Sequence, residues 1–391
     1  MSKYAEISEW LISRLRVQGF RSLQDITLEL APVTILVGPN GAGKSSLVSA
    51  LTFFRDALLQ SPEMALRQRG GMERLLTNLG TTASSRPAAQ ADSLSLEVEV
   101  ASRAPGLFRG VYFVRFKPQA NGWQIAREIA ETWTGVSHDH LIFEVEQGKW
   151  LKSVSGLEPR LAPDRLALPL LSGAAGFLPL YNALTTVRRY DVNPQSMGAL
   201  HEPDQQIILE TDGGNAASVL LHLQKEDPQR FERVLQTLGR VIGSIQKVTP
   251  KTIGRALTIA FEETLTGKRS ASFDAEQMSE GALRTLGILL AAYTLDPSAL
   301  ILLEEPERAI HPGAAAALAE ALQEAGLRTQ IVATTHSPDL ISHFDLESLR
   351  AVKREKGLTQ VGPVKPAQLE SIRQNLFTAG EIHRFEGLAP E

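Results

Sequence analysis

The sequence contains no cysteine, which excludes disulfides, thiolate metal sites and a cysteine nucleophile. It also lacks a dominant charge. Its 40 basic residues stand against 44 acidic ones, giving a net charge of −4 and a pI near 6.1. No global basic field therefore advertises nucleic acid, and a DNA site would have to be a local patch. Residues 1–10 show no basic-then-apolar leader pattern, so the expectation is a cytoplasmic protein. The longest uncharged run, between Arg165 and Arg188, raises the question of a membrane span. Pro169, Gly173, Gly176, Pro179 and Asn182 interrupt it, which predicts a buried segment crossing the core and no membrane contact. No heptad persists beyond a few turns and no internal repeat is visible, so a long coiled coil is not expected. Residues 81–93 form the one stretch that reads as a flexible loop.

What is present suits a soluble globular chain: 43% apolar and 21% charged residues over 391 positions, enough for one large domain or two ordinary ones. Residues 15–30 read as two short strands around a turn. Val33 to Val37 is a continuous apolar run of the kind found in buried parallel strands. A glycine-rich turn follows, then helical periodicity from Ser45 to Gln60. Leu300 to Leu303 and Gln330 to Thr334 are two further apolar runs, separated by an alanine- and leucine-rich helix from Pro312 to Ala325. Strand, helix, strand in that order predicts a right-handed crossover in a parallel sheet. The middle differs, with alternating strands near 94–100, 111–116 and 141–146 and a helical stretch from about Ala216 to Gln246 broken at Pro228.

Gly38-Pro-Asn40-Gly41-Ala-Gly43-Lys44-Ser45, followed by Ser46, has the spacing of a P-loop. Its glycines let backbone N–H groups curl around phosphates, and the helix after it presents a positive N-terminus. Lys44 would reach the β- and γ-phosphates and the Ser45 hydroxyl would bind Mg²⁺. Leu300-Ile-Leu-Leu-Glu304-Glu305-Pro306-Glu307 is an apolar strand ending in acids. Beside a P-loop, Glu304 is assigned to the metal and Glu305 to the attacking water. His336, after the next strand, would taken alone be a structural residue. The pair His138 and His140 reads as an exposed turn rather than metal ligands, and His201-Glu202 lacks a second histidine at zinc-protease spacing.

Four further segments accompany the P-loop in fixed order: Phe20-Arg-Ser-Leu, Met278-Ser279-Glu-Gly281-Ala-Leu-Arg284, Glu304 to Pro312, and Thr334-Thr-His336-Ser-Pro. In this the chain resembles the ABC-type P-loop ATPases of the OLD-like and RecF-like, SMC-related family. The resemblance covers residues 1–60 and 270–391. It implies an α/β ATPase head formed from both chain ends, with ATP and Mg²⁺ as cofactors. It implies that Ser279 and Gly281 contact the γ-phosphate held by an opposite subunit, and that His336 is the switch residue at that phosphate. Residues 306–312 resemble the loop that lies along the dimer interface. Two features depart from transporter ATPases: Glu304 stands where they carry aspartate, and the signature reads Ser-Glu-Gly. The glutamine of the Q-loop has two candidates, Gln119 and Gln124.

The expected organisation is an N-terminal head segment (1–60), a compact α+β insertion (61–270) and a C-terminal head segment (271–391). Lys44, Glu305 and His336 would be catalytic; Asn40, Gly41, Gly43, Lys44, Ser45, Ser46, Ser279 and Gly281 would hold the nucleotide. The expected function is an ATP-gated homodimeric clamp or switch in DNA repair or defence against foreign DNA. A non-hydrolysing scaffold or toxin-like effector is the alternative, and a transporter subunit a weaker one. Residues 337–391 offer no Asp-x-Asp and little room for a TOPRIM nuclease domain, so a separate nuclease or effector partner is expected. DNA is a further possible partner. Its candidate surface comprises Arg103, Arg109, Arg115, Lys117, Arg127, Lys247, Lys251 and Arg255.

Overall fold

A computed structural model describes the chain except for residues 1–8, 78–90, 121, 136–138, 155, 157, 174–175, 265–269, 294–298 and 375. Most of the loop-like stretch at 81–93, and His138, lie outside the described residues. β1 (Trp10–Phe20) and β2 (Leu23–Glu29) form a hairpin whose turn holds Arg21 in the left-handed region at φ 51°. β3 (Val33–Val37) is buried at all its positions and leads into the P-loop helix, Lys44–Leu59. β4 (Leu94–Ser102), β5 (Phe108–Gln119), β6 (Gly122–Thr134), β7 (Asp139–Glu146) and β8 (Lys149–Lys152) follow. They extend the first hairpin into a seven-stranded antiparallel sheet, ordered β2-β1-β4-β5-β6-β7-β8. The stretch read as an insertion thus begins by continuing a sheet that the first residues started.

β9 (Val187–Tyr190) precedes two helices, Ala216–Glu226 and Pro228–Val241, which break at Pro228 because proline cannot continue a hydrogen-bonded helix. The Asp227 side chain caps the second by accepting from the Arg230 N–H. β10 (Ile245–Ile253), β11 (Ala256–Thr264) and β12 (Ser270–Asp274) make a small antiparallel sheet. The signature helix (Glu280–Ala292), β13 (Leu300–Glu304), the helix Ala315–Gly326, β14 (Gln330–Thr335), β15 (Leu349–Glu355) and β16 (Leu358–Gly362) complete the head. The second large sheet runs β16-β15-β3-β14-β13-β9, with every pairing parallel except β15 with β16. β9, from the middle of the chain, is therefore an edge strand of the sheet that carries the P-loop.

Two apolar cores flank that sheet. Ile35 and Val37 of β3 face the signature helix, the alanine-rich helix and the Ala216–Val241 pair. Leu36 faces the other way, toward the P-loop helix and the inner face of the antiparallel sheet. A strand buried on both faces has no polar side to show, which explains the continuous apolar runs. The sheets are joined by a buried amide. Gln330 accepts from the Ile12 N–H at 2.9 Å and donates to the carbonyls of Ile12 and Ala31 at 2.8 and 3.0 Å. The 165–188 run folds as the short helices Leu168–Leu171 and Leu178–Thr185 and the start of β9. Among the described residues no helix is long and apolar enough to cross a membrane.

Candidate functional site

Parallel pairing brings the C-terminal tips of β3, β13 and β14 side by side, and the chemistry-bearing residues follow directly from those tips. The loop after β3 turns on Gly41 and Gly43, at φ 76° and 112°. Gly43 has a second reason to lack a side chain: a Cβ there would lie 2.0 Å from the Thr359 hydroxyl of β16. That hydroxyl donates to the Ala42 carbonyl at 2.9 Å and reaches the Ser22 hydroxyl at 2.7 Å, tying the P-loop to both chain ends. Gly43 caps the P-loop helix without a side-chain bond, leaving first-turn N–H groups for a ligand.

Lys44 is 7% exposed and donates to the Gly38 and Pro39 carbonyls at 2.5 and 3.1 Å. Burial pushes its pKa down, opposed by the nearby carboxylates of Glu305, Glu307 and Glu304. The Ser45 hydroxyl donates to Glu304 Oε2 at 2.8 Å. Arg189 Nε, at the tip of β9, lies 2.9 Å from Glu304 Oε1 as an ion pair whose N–H points off the line to the oxygen. Glu305 turns out of β13 in the left-handed region, φ 48°, its N–H bonded to the Thr334 carbonyl at 2.9 Å. There Glu305 Oε1 sits 3.1 Å from His336 Nδ1. Thr335 donates to Glu307 Oε1 at 2.5 Å. Burial raises the Glu307 pKa, partly offset by that hydroxyl, and its Oε2 is enclosed without a hydrogen-bond partner among the described residues.

A cavity of about 460 Å³ gathers Asn40, Gly41, Gly43, Lys44, Ser45, Ser46, Glu304 and Glu305. Ser279 and Gly281 lie outside it, and His336 joins it through Glu305. Ser279 is exposed and caps the signature helix by accepting from the Ala282 N–H. Gly281 packs so closely that a Cβ would lie 2.2 Å from the Ala309 carbonyl, on a loop where Ala309 itself is left-handed at φ 66°. Sequence reasoning missed Arg189, Arg284, Arg308 and Arg354, which also line the cavity. Arg284 and Arg308 lie inside the quoted motifs; the doubled arginine of Val187–Tyr190 was the only sign of Arg189. Gln119 and Gln124 sit on the β5–β6 hairpin and are not among the cavity's lining residues.

Most of the basic residues considered for DNA have partners. Arg109 pairs with Glu99, Arg127 with Glu144, Lys247 with Glu262 and Lys251 with Asp274, while Arg103 donates to the carbonyls of Gly326 and Leu327. His140 pairs with Glu131 and stacks on Trp133.

A 41-residue stretch, 10% of this chain, is 51% identical to an OLD nuclease of Thermus scotoductus (strain ATCC 700910 / SA-01), and it spans 8% of that protein. The fold is similar to an Smc head bound to the C-winged helix domain of ScpA, with a TM-score of 0.55, 12% identity, and 92% of this chain and 99% of that one covered. It is also similar to the Pyrococcus furiosus Smc head with an extended coiled coil bound to the C-terminal domain of ScpA, with a TM-score of 0.53, 12% identity, and 94% and 99% covered. The α/β architecture thus has the fold of an Smc head, with no long coiled coil among the described residues. Residues 33–342 match the family described as "AAA domain, putative AbiEii toxin, Type IV TA system", and the chain belongs to it as a P-loop ATPase-type protein.

Proposed function

We propose that this chain hydrolyses ATP with Mg²⁺ at a site completed head-to-tail by a second copy. Closure of that pair would act as a clamp or switch in DNA repair or defence. The observation that carries the reading is the linked series Ser45–Glu304 and Glu305–His336 across the tips of three adjacent strands. Among the described residues Lys44 donates hydrogen bonds to two neutral carbonyls and to no carboxylate, which would let it turn to the β- and γ-phosphates. Ser45 Oγ and Glu304 Oε2 are hard oxygen donors on facing elements, the type Mg²⁺ takes. When bound, Mg²⁺ would neutralise phosphate charge. Glu305, steadied by His336, is placed to orient and deprotonate water. Ser279, exposed and outside its own cavity, is free to meet a partner's γ-phosphate, while Gly281, buried against the Ala309 carbonyl, would contribute through the start of the helix it packs; two-fold pairing would supply each site once.

The name of one similar protein, a nuclease, supports work on nucleic acid. The family description, which includes a toxin, favours as a second reading an ATP-gated toxin-like effector. Expression that arrests growth without any DNA-stimulated turnover would select that second reading.

Lys44→Ala should abolish ATP binding, and Glu305→Gln should bind ATP but turn over at least ~100-fold more slowly, the low end of general-base effects. Light scattering should show Glu305→Gln dimerising with ATP and not with ADP, and Ser279→Arg blocking that dimer. Normal turnover in Glu305→Gln, or a wild-type-like dimer in Ser279→Arg, would sink the assignment.

A further inference from the structure

A second polar cavity, of about 520 Å³, shares Ser45, Arg189 and Glu304 with the P-loop cavity and extends behind the P-loop helix. Its walls carry four guanidinium groups, those of Arg21, Arg55, Arg69 and Arg189, against two carboxylates, Asp56 and Glu304. Asp56 serves two of the arginines, with Arg55 and Arg69 each 2.6 Å from its oxygens. Glu304 serves Arg189. Two positive charges are therefore left over.

Arg21 is the clearest of them. The hairpin turn holds it half-buried, with its guanidinium 5.6 Å from the Phe20 ring centroid. Among the described residues its side chain has no hydrogen bond or ion pair. Burial lowers its pKa, and the charge of Arg69 lowers it further. A half-buried cation facing a like charge across a polar cavity is stabilised by an anion between them. The hydroxyls of Ser49 and Thr52 line the same space and hold Arg69 in place by accepting from its guanidinium. A phosphate near neutral pH carries between one and two negative charges and several strong acceptor oxygens, matching the surplus charge and the donors of the Arg21 guanidinium.

We propose that this cavity is a phosphate-binding site that receives inorganic phosphate released from the adjoining P-loop cavity. The anion site follows from the charges themselves; phosphate as a hydrolysis product rests on the ATPase reading above. The shared wall at Ser45 and Glu304 lies beside the place where the terminal phosphate would sit before release, so the two sites adjoin.

Equilibrium dialysis of the full chain with radiolabelled inorganic phosphate tests the site, in a Lys44→Ala background that weakens anion binding at the P-loop. One phosphate per chain should be retained, and adding Arg21→Gln should weaken its binding at least ~10-fold, the loss of one desolvated charge-assisted contact. Should Arg21→Gln fail to fold by circular dichroism, Arg55→Gln replaces it with the same expectation. Absence of bound phosphate in Lys44→Ala, or binding unmoved by the arginine change, overturns the site. Displacement by a short single-stranded oligonucleotide would overturn the product assignment in favour of backbone phosphate. Wild-type protein in a single turnover of γ-labelled ATP should hold label after rapid gel filtration, and Arg21→Gln should not. A wild type that turns over but retains no label also overturns the product assignment. A wild type that cleaves no ATP fails the ATPase reading, while the dialysis still decides the anion site.

Discussion

The two large sheets solve opposite problems. The central strands of the parallel sheet, β3, β13 and β14, are buried on both faces and mainly apolar, and the chemistry of that sheet sits at the strand tips. The antiparallel sheet buries one face. Its outer face is a lattice of ion pairs, Arg14 with Glu99, Arg16 with Asp25, Arg127 with Glu144. Its inner face is mainly apolar and holds a buried carboxyl, Glu128, which accepts bonds from the Ala167 and Leu168 N–H groups and the Tyr112 hydroxyl. In the first sheet position along the strand decides what a residue does; in the second, the face decides.

The joint between the sheets gives the largest expected effect. Gln330→Leu keeps the volume roughly but takes the acceptor from the Ile12 N–H and a donor from the carbonyls of Ile12 and Ala31, the latter keeping only a long bond of 3.5 Å from the Thr34 hydroxyl. Urea unfolding should show a loss of about 4 kcal/mol. A loss below ~1 kcal/mol would mean that packing alone holds the sheets together.

Glu128 should come next. Burial pushes its pKa from 4.5 up to about 7. The folded state then holds a proton that the unfolded chain has lost, so the linked stability is complete below the unfolded pKa and disappears as pH rises through 7. Stability should fall by about 3 kcal/mol between pH 4.5 and 8 on this account, and Glu128→Gln should flatten that slope. An identical pH profile in the variant would show that the carboxyl is not the source. The smallest effect belongs to the outer lattice: Arg16→Ala breaks an exposed pair and should cost less than about 1 kcal/mol. A larger loss would show that the lattice acts as a network.

Both sheets were legible to different degrees. The apolar run Val33 to Val37 before the P-loop and Leu300 to Leu303 before the acids announced buried parallel strands, because two-sided burial leaves no other pattern. The break at Pro228 was equally plain, since it is local. β9 was not. Four residues with two arginines carry no periodicity, and its partner Leu300 lies far along the chain. Arg189 and its pairing with Glu304 were hidden with it. Gln330 was invisible for a similar reason: a polar residue beginning an apolar strand reads as a boundary, and only the packed structure supplies its three partners. Glu307 was seen as part of a motif, yet its burial and its Thr335 bond depend on the neighbouring strand.

The knot of Ser22, Ala42 and Thr359 carries a consequence for how the molecule is born. The residue that braces the P-loop from behind is 317 positions downstream of the carbonyl it binds. At ordinary synthesis rates of about 5 to 20 residues per second, the loop leaves the ribosome roughly 16 to 60 s before its brace exists. During that interval the nascent chain has the phosphate-binding sequence without the buttress that holds its shape. Competence to grip nucleotide should therefore arrive late and all at once, when β15 and β16 close against β3 and β2, protecting the growing chain from premature capture of ATP.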